Sequence, residues 1–188
     1  MGPTALLVMD MMNGVVGRYA GDDGGGAALV ERLAAAIAAA RAHGIAVLYV
    51  RVAFRPGYPE VSPQNKTFST LTARGGFEED DPATAIVDAL APQPGDAVVM
   101  KRRVSAFTGS DLDIVLRAKG IDTLVLTGIA TSGVVLSTIR EAADRDYRLV
   151  VLSDGCGDAD PEVHRVLTGK VFPRQAEVMT VDEWIAAL

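Results

Sequence analysis

Two charged side chains directly follow apolar runs of strand length. Asp10 follows residues 5–9 and Lys101 follows residues 97–100. A third segment, residues 128–134, links the apolar run 123–127 to a stretch with helical spacing. If the runs are parallel strands, all three features lie at carboxyl ends, where ligands bind such sheets. A carboxylate, an ammonium and the backbone N–H groups of a helix start suit acid–base chemistry on a small polar substrate. Two roles stay open for Asp10. As a general acid its pKa must rise to near neutrality, a change of roughly 4 kcal/mol that Lys101 opposes, so desolvation must win. As a base activating water it needs no such rise, because the ion pair helps to keep it charged.

These residues must be positioned by the elements around them. Short apolar runs at 5–9, 45–52, 97–100, 123–127, 149–152 and 177–180 read as strands, and stretches of helical spacing alternate with them. The helical stretches are 27–42, stopped by Gly44; 81 to about 91, opened by Asp81-Pro82; 110–119, stopped by Gly120; and 132–145. Asp160-Pro161 opens another, and Thr180 with Glu183 forms a capping box for the last. Such alternation specifies an α/β, three-layer architecture, a mainly parallel sheet with helices on both faces. Two stretches break the rhythm. Residues 17–26, rich in glycine, read as a flexible loop before the first helix, and residues 54–76, with Pro56, Pro59 and Pro63, read as a long loop of a kind that is usually functional or disordered.

Composition narrows the function. The 188 residues suit a single domain spanning 1–188, and 49% of them are hydrophobic, enough for a core without staples. The net charge of -6 argues against nucleic acid or an anionic membrane as partner. The apolar run before Asp10 is too short for a secretory signal or a membrane span, so a cytoplasmic protein is expected. Lys101-Arg102-Arg103 is the one basic triplet, and its two arginines read as a solvated strand end.

Several chemistries lack their residues. The glycine run has no Lys-Ser/Thr after it, and neither a dinucleotide fingerprint nor a G-x-S-x-G elbow is present. The only histidines, His43 and His164, fall in unrelated helices, which argues against a histidine-rich metal site. The acidic stretch 154–160 does not have the spacing of a calcium loop and reads as a capping loop. No metal or cofactor is expected.

Four segments, 5–13, 101–107, 128–138 and 140–147, resemble the isochorismatase-like hydrolases in order and spacing across nearly the whole chain. The resemblance implies a six-stranded Rossmann-like sheet and a homodimer or larger assembly. In the cysteine-hydrolase branch, an Asp, a Lys and a Cys act together. Asp10 and Lys101 match the first two, whereas the cysteine position of G-x-A-T-x-x-C holds Val134. Met12 stands where the family commonly has Gln, and residues 51–60 lack the His of the nicotinamidase metal site. The vinyl-ether-cleaving members also lack that cysteine, but carry Tyr-Ala-His where this chain has Ala130-Thr131-Ser132. The resemblance further implies a cis peptide at Ile129–Ala130, turning the Ala130 and Val134 amides toward a substrate oxygen.

Valine cannot act as a nucleophile. Of the possible substitutes, Cys156 reads as a small buried residue, Ser132 as a helix cap without a paired histidine, and His164 as a helix-surface residue. The expected catalytic residues are therefore Asp10 and Lys101. The expected substrate-binding residues are Ala130, Ser132, Gly133, Val134, Phe107 and Arg55, the arginine suiting a carboxylate. The expected activity is hydrolysis of a vinyl ether or C–N bond in a small-molecule substrate. The competing class is a non-catalytic metabolite-binding or assembly protein that retains the pocket.

Overall fold

A computed structural model describes residues 2–19 and 25–188. Its centre is a sheet of six strands, all parallel, in the order β3-β2-β1-β4-β5-β6. The strands are β1 (Thr4–Met9), β2 (Ala46–Val52), β3 (Ala97–Lys101), β4 (Thr123–Ile129), β5 (Arg148–Gly157) and β6 (Glu177–Met179). The two central strands are the most continuously buried. All seven residues of β4 and five of six in β1 are buried, as both faces of a covered parallel sheet require.

Side chains alternate across the sheet, and the core divides accordingly. Leu6 and Val8 face one layer, which contains Leu33 and Ile37 of α2 (Gly25–Ala42) and Trp184 of α7 (Val181–Ala186). Ala5, Leu7 and Met9 face the other, with Leu112 and Leu116 of α4 (Leu112–Ala118) and Ile139 of α5 (Leu136–Ala143). The strand order reverses between β1 and β4, so the crevice above their carboxyl ends is the topological switch point.

The fold class agrees with the sequence reading, but several elements differ. Residues 13–19, partly assigned to a glycine-rich loop, form α1 (Asn13–Tyr19), and α2 begins already at Gly25; residues 20–24 lie outside the described chain. Inside the long loop sits α3 (Lys66–Thr72), capped by the Asn65 side chain, which accepts from Phe68 N–H. The helix expected after Asp81-Pro82 is instead two short 3-10 turns, Pro82–Thr84 and Asp88–Leu90. Asp81 caps as expected, but the backbone between the turns pairs sideways. Ala85 carbonyl accepts from Asn13 N–H, and Val87 N–H donates to Met11 carbonyl. The stretch expected as one helix from Ser132 opens with a π turn, Thr131–Val135, before α5. After a register shift beyond Leu126, β5 resumes pairing, so it extends past its expected end to Gly157. Asp160 caps α6 (Pro161–Val166), and the Thr180–Glu183 capping box is formed.

Candidate active site

Asp10 is the first residue beyond β1. Its N–H donates to Val50 carbonyl at 2.8 Å, and it turns the chain with a positive φ of 55°. Lys101 ends β3 opposite Val52, and β2 separates it from β1. The lysine stem crosses that strand end and places Nζ 2.8 Å from Asp10 Oδ2. Nζ also donates to Arg103 carbonyl at 3.1 Å. Both residues are buried, Lys101 at 2% exposure and Asp10 at 6%.

The other carboxyl oxygen, Oδ1, is buried without a hydrogen-bond partner. Burial pushes the Asp10 carboxyl above its ordinary pKa, while Lys101 and the Val52 backbone pull the other way. Asp10 is thereby a stronger base when charged than an aspartate in water. Its free oxygen can take a proton from a ligand or give one to it.

The turn after β4 lies beside this pair. Gly128 has φ 126°, and a Cβ there would stand 2.0 Å from Met9 carbonyl oxygen. Only glycine lets β4 approach β1 so closely. The Ile129–Ala130 peptide is cis. Ala130 carbonyl accepts from Gly133 N–H and Val135 N–H, at 3.0 and 3.3 Å, which closes the turn. Ser132 N–H donates to Asp158 Oδ2 at 2.7 Å, and Thr131 Oγ1 lies 2.8 Å from His164 Nδ1. His164, expected on a helix surface, is thus half-buried against the turn, and burial holds its pKa below the usual histidine value.

A cavity of about 160 Å³ joins these parts. Asp10, Lys101, Ala130, Gly133 and Val134 all line it. Three expected lining residues stand elsewhere. Ser132 is exposed, and its side chain makes no cap bond. Phe107 is buried in the layer beneath α4 and α5, between the Arg145 guanidinium at 4.8 Å and the Tyr147 ring at 5.9 Å. Arg55 projects to the surface and pairs with Glu60 at 2.6 Å. Arg102 and Arg103 are not solvated but half-buried. Arg102 bridges Glu60 and Glu79, and Arg103 donates to Glu60 carbonyl, tying the long segment to the end of β3.

The remaining walls come from residues the sequence reading did not select. α1 contributes Gly14, Val15 and Arg18, α3 contributes Thr67, Phe68 and Leu71, and Phe77 closes one side. A signal for α1 was present, since residues 14, 15 and 18 share one helix face by their spacing. For α3 only the Asn65 cap could have hinted at a helix.

The cavity contains no thiol. Cys156 lies on β5 and faces the core layer of α4 and α5, its Sγ 3.8 Å from Leu126 carbonyl, and burial pushes its pKa up to about 12. Almost none of it is thiolate at neutral pH. The acidic loop serves as capping. Asp154 accepts from Val181 N–H, Asp158 from Ser132 N–H, and Asp160 from two amides of α6. Among the described residues, no three His, Cys, Asp or Glu side chains converge as metal ligands would.

The model of the Isochorismatase domain matches residues 4–183. A ureidoacrylate amidohydrolase, RutB, of Methylobacterium radiotolerans is 38% identical over 187 residues, covering 89% of this chain and 72% of its own. A solved isochorismatase family protein from Burkholderia thailandensis superposes with a TM-score of 0.83 at 33% identity, over 98% of this chain and 95% of that one. N-carbamoylsarcosine amidase from Thermoplasma acidophilum superposes with a TM-score of 0.74 at 30% identity, over 96% and 97% of the two chains.

Proposed function

The chain belongs to the isochorismatase family of hydrolases, and from that premise we propose that it hydrolyses a C–N bond in a small amide or ureido compound, with water as nucleophile and Asp10 as proton carrier. The observation that carries this reading is the Asp10 carboxyl itself. One oxygen is held by Lys101 and the other is unpartnered, and Val134, at the position where the resemblance places the family's cysteine, has no nucleophile to offer. The relatives named for ureidoacrylate and N-carbamoylsarcosine support the choice of bond.

In the proposed reaction, water adds to the substrate carbonyl carbon and its proton passes to Asp10 Oδ1. The carbonyl oxygen becomes an oxyanion facing the amides of Ala130 and Val134, whose residues line the cavity. When the C–N bond breaks, Asp10 returns that proton to the leaving nitrogen. Lys101 stays charged throughout, holding Oδ2 and directing Oδ1 toward the water. No covalent enzyme intermediate forms, which distinguishes this route from thioester chemistry.

The raised pKa of Asp10 also favours a second reading, in which the neutral carboxyl protonates a vinyl ether. Purified protein assayed on ureidoacrylate, simple amides and a vinyl ether separates the two. The base role requires activity to rise with pH through a midpoint above the ordinary aspartate value of 3.8; the acid role requires it to fall through the same window. Asp10→Asn is expected to lose about 10²–10⁴-fold in turnover, the usual worth of a positioned acid or base. Unchanged turnover in that variant would remove Asp10 from the reaction. Ligand-induced stabilisation without turnover on any of these compounds would instead support a non-catalytic metabolite-binding protein.

A further inference from the structure

The cavity has an uneven distribution of charge. Among the described residues, Asp10 is its one acid, against two cations, Lys101 and Arg18. Lys101 is committed to Asp10 at the floor. Arg18 is in the last turn of α1, on the face that Gly14 and Val15 turn to the cavity. That places it roughly one helical turn, ~5–6 Å, further along the wall than Gly14. Its guanidinium carbon sits 5.5 Å from the centre of the Phe77 ring, and Phe77 is itself buried in the same wall. A cation over an aromatic face is attracted by the ring, and a planar guanidinium placed there suits recognition of a carboxylate.

Apart from Thr67, the side chains of the other walls are apolar, among them Val15, Phe68, Leu71, Val104 and Ile129. A ligand crossing them needs an apolar or unsaturated middle. About 160 Å³ is close to the size of a cavity that accommodates one benzene ring, so the ligand is small.

We infer that Arg18 is the specificity-determining residue of this site, pairing with a carboxylate on the substrate while the group to be cleaved lies at Asp10. The inference rests on the proposed hydrolysis for the location of the reacting group. The substrate class is then a small monocarboxylate whose amide or ureido group is a few bonds from the carboxylate. The planar fork of Arg18 donates two parallel hydrogen bonds to the carboxylate, and the net positive lining among the described residues favours a monoanion over a neutral compound.

The test measures binding as well as turnover, so that failure of the inference and failure of the reaction are told apart. Titration calorimetry on the full-length protein uses 3-ureidopropionate and its uncharged counterpart 3-ureidopropanamide as probes. The carboxylate is expected to bind at least tenfold more tightly. In Arg18→Gln its Kd should rise ten- to a hundredfold, far more than that of the amide, and Arg18→Lys should recover part of the difference. Equal affinity for both probes, binding of neither, or a preference that survives Arg18→Gln would overturn the inference. Hydrolysis without carboxylate preference would overturn it while leaving the proposed reaction standing. Preference without hydrolysis would leave the inference standing and reject the reaction.

Discussion

The floor and the roof of the cavity are built on different principles. The floor is made from strand ends: Asp10 after β1, Lys101 at the end of β3, and residues 128–134 at and beyond the end of β4. Each strand end is placed by a backbone ladder that ties it to a neighbouring strand, and Asp10 and Lys101 are buried. The roof is made from two helices of seven residues each, α1 and α3, and from Phe77. Helices that short are not stable alone and hold their position through tertiary contacts. Phe68 of α3 is fixed by edge-on packing against Phe54, their ring centres 5.3 Å apart. Glu60 and Arg102 pin the segment between them to β3. The contrast separates two tasks. In the proposed reaction, geometry rests on the sheet, whereas ligand selection rests on parts that can be changed without rebuilding it.

This comparison can be broken at three points. The largest effect is expected at Gly128→Ala. The new Cβ meets the Met9 backbone at 2.0 Å, which a side-chain rotation cannot relieve. Loss of about 4 kcal/mol or more in denaturant-measured stability is expected, and a change under about 1 kcal/mol would mean that the floor is not rigid. Lys101→Met comes next. It leaves Asp10 buried without its counter-charge, which costs about 3–5 kcal/mol if the carboxylate stays ionised. Asp10 escapes part of this by binding a proton, so the variant's deficit in chemical denaturation should shrink as pH falls. A deficit independent of pH would mean that the pair is not electrostatically coupled.

Leu71→Ala in the roof should have the smallest effect on stability. Leu71 is only partly buried, so the loss should stay below about 2 kcal/mol, the low end for a core leucine. Affinity for a small ureido carboxylate should nevertheless fall about tenfold in calorimetry. If Leu71→Ala destabilises the protein as much as Lys101→Met, floor and roof form one cooperative unit and the division fails.

Legibility in the sequence followed the same division. Asp10 and Lys101 were readable because each directly follows an apolar run, and the parallel-sheet rule locates the ends of such runs in space. The turn at 128–134 was readable for the same reason. Phe107 and Arg55 do not line this cavity, because sequence position near the site says nothing of side-chain direction. Phe107 turns into the opposite core layer, and Arg55 finds Glu60 at the surface. The helix expected after Asp81-Pro82 failed although its cap was read correctly. The Arg51 guanidinium donates to Thr84 Oγ1, and neighbouring backbone groups bond to α1 and Met11, so the helical ladder is never built.

By itself the sequence determined the strands, their parallel arrangement, the Asp10–Lys101 pairing as an expectation, and valine at position 134. Those follow from local apolar patterning, from the handedness of strand–helix–strand connections, and from residue identity. Only the tertiary structure decided that the Asp10 carboxyl keeps one oxygen free, that Cys156 faces the core layer of α4 and α5 rather than the cavity, and that Arg18 reaches the cavity from α1. Each of these depends on contacts between segments far apart in the chain, and on which side of a strand or helix a side chain faces. Hydrophobic spacing along the chain cannot specify such contacts.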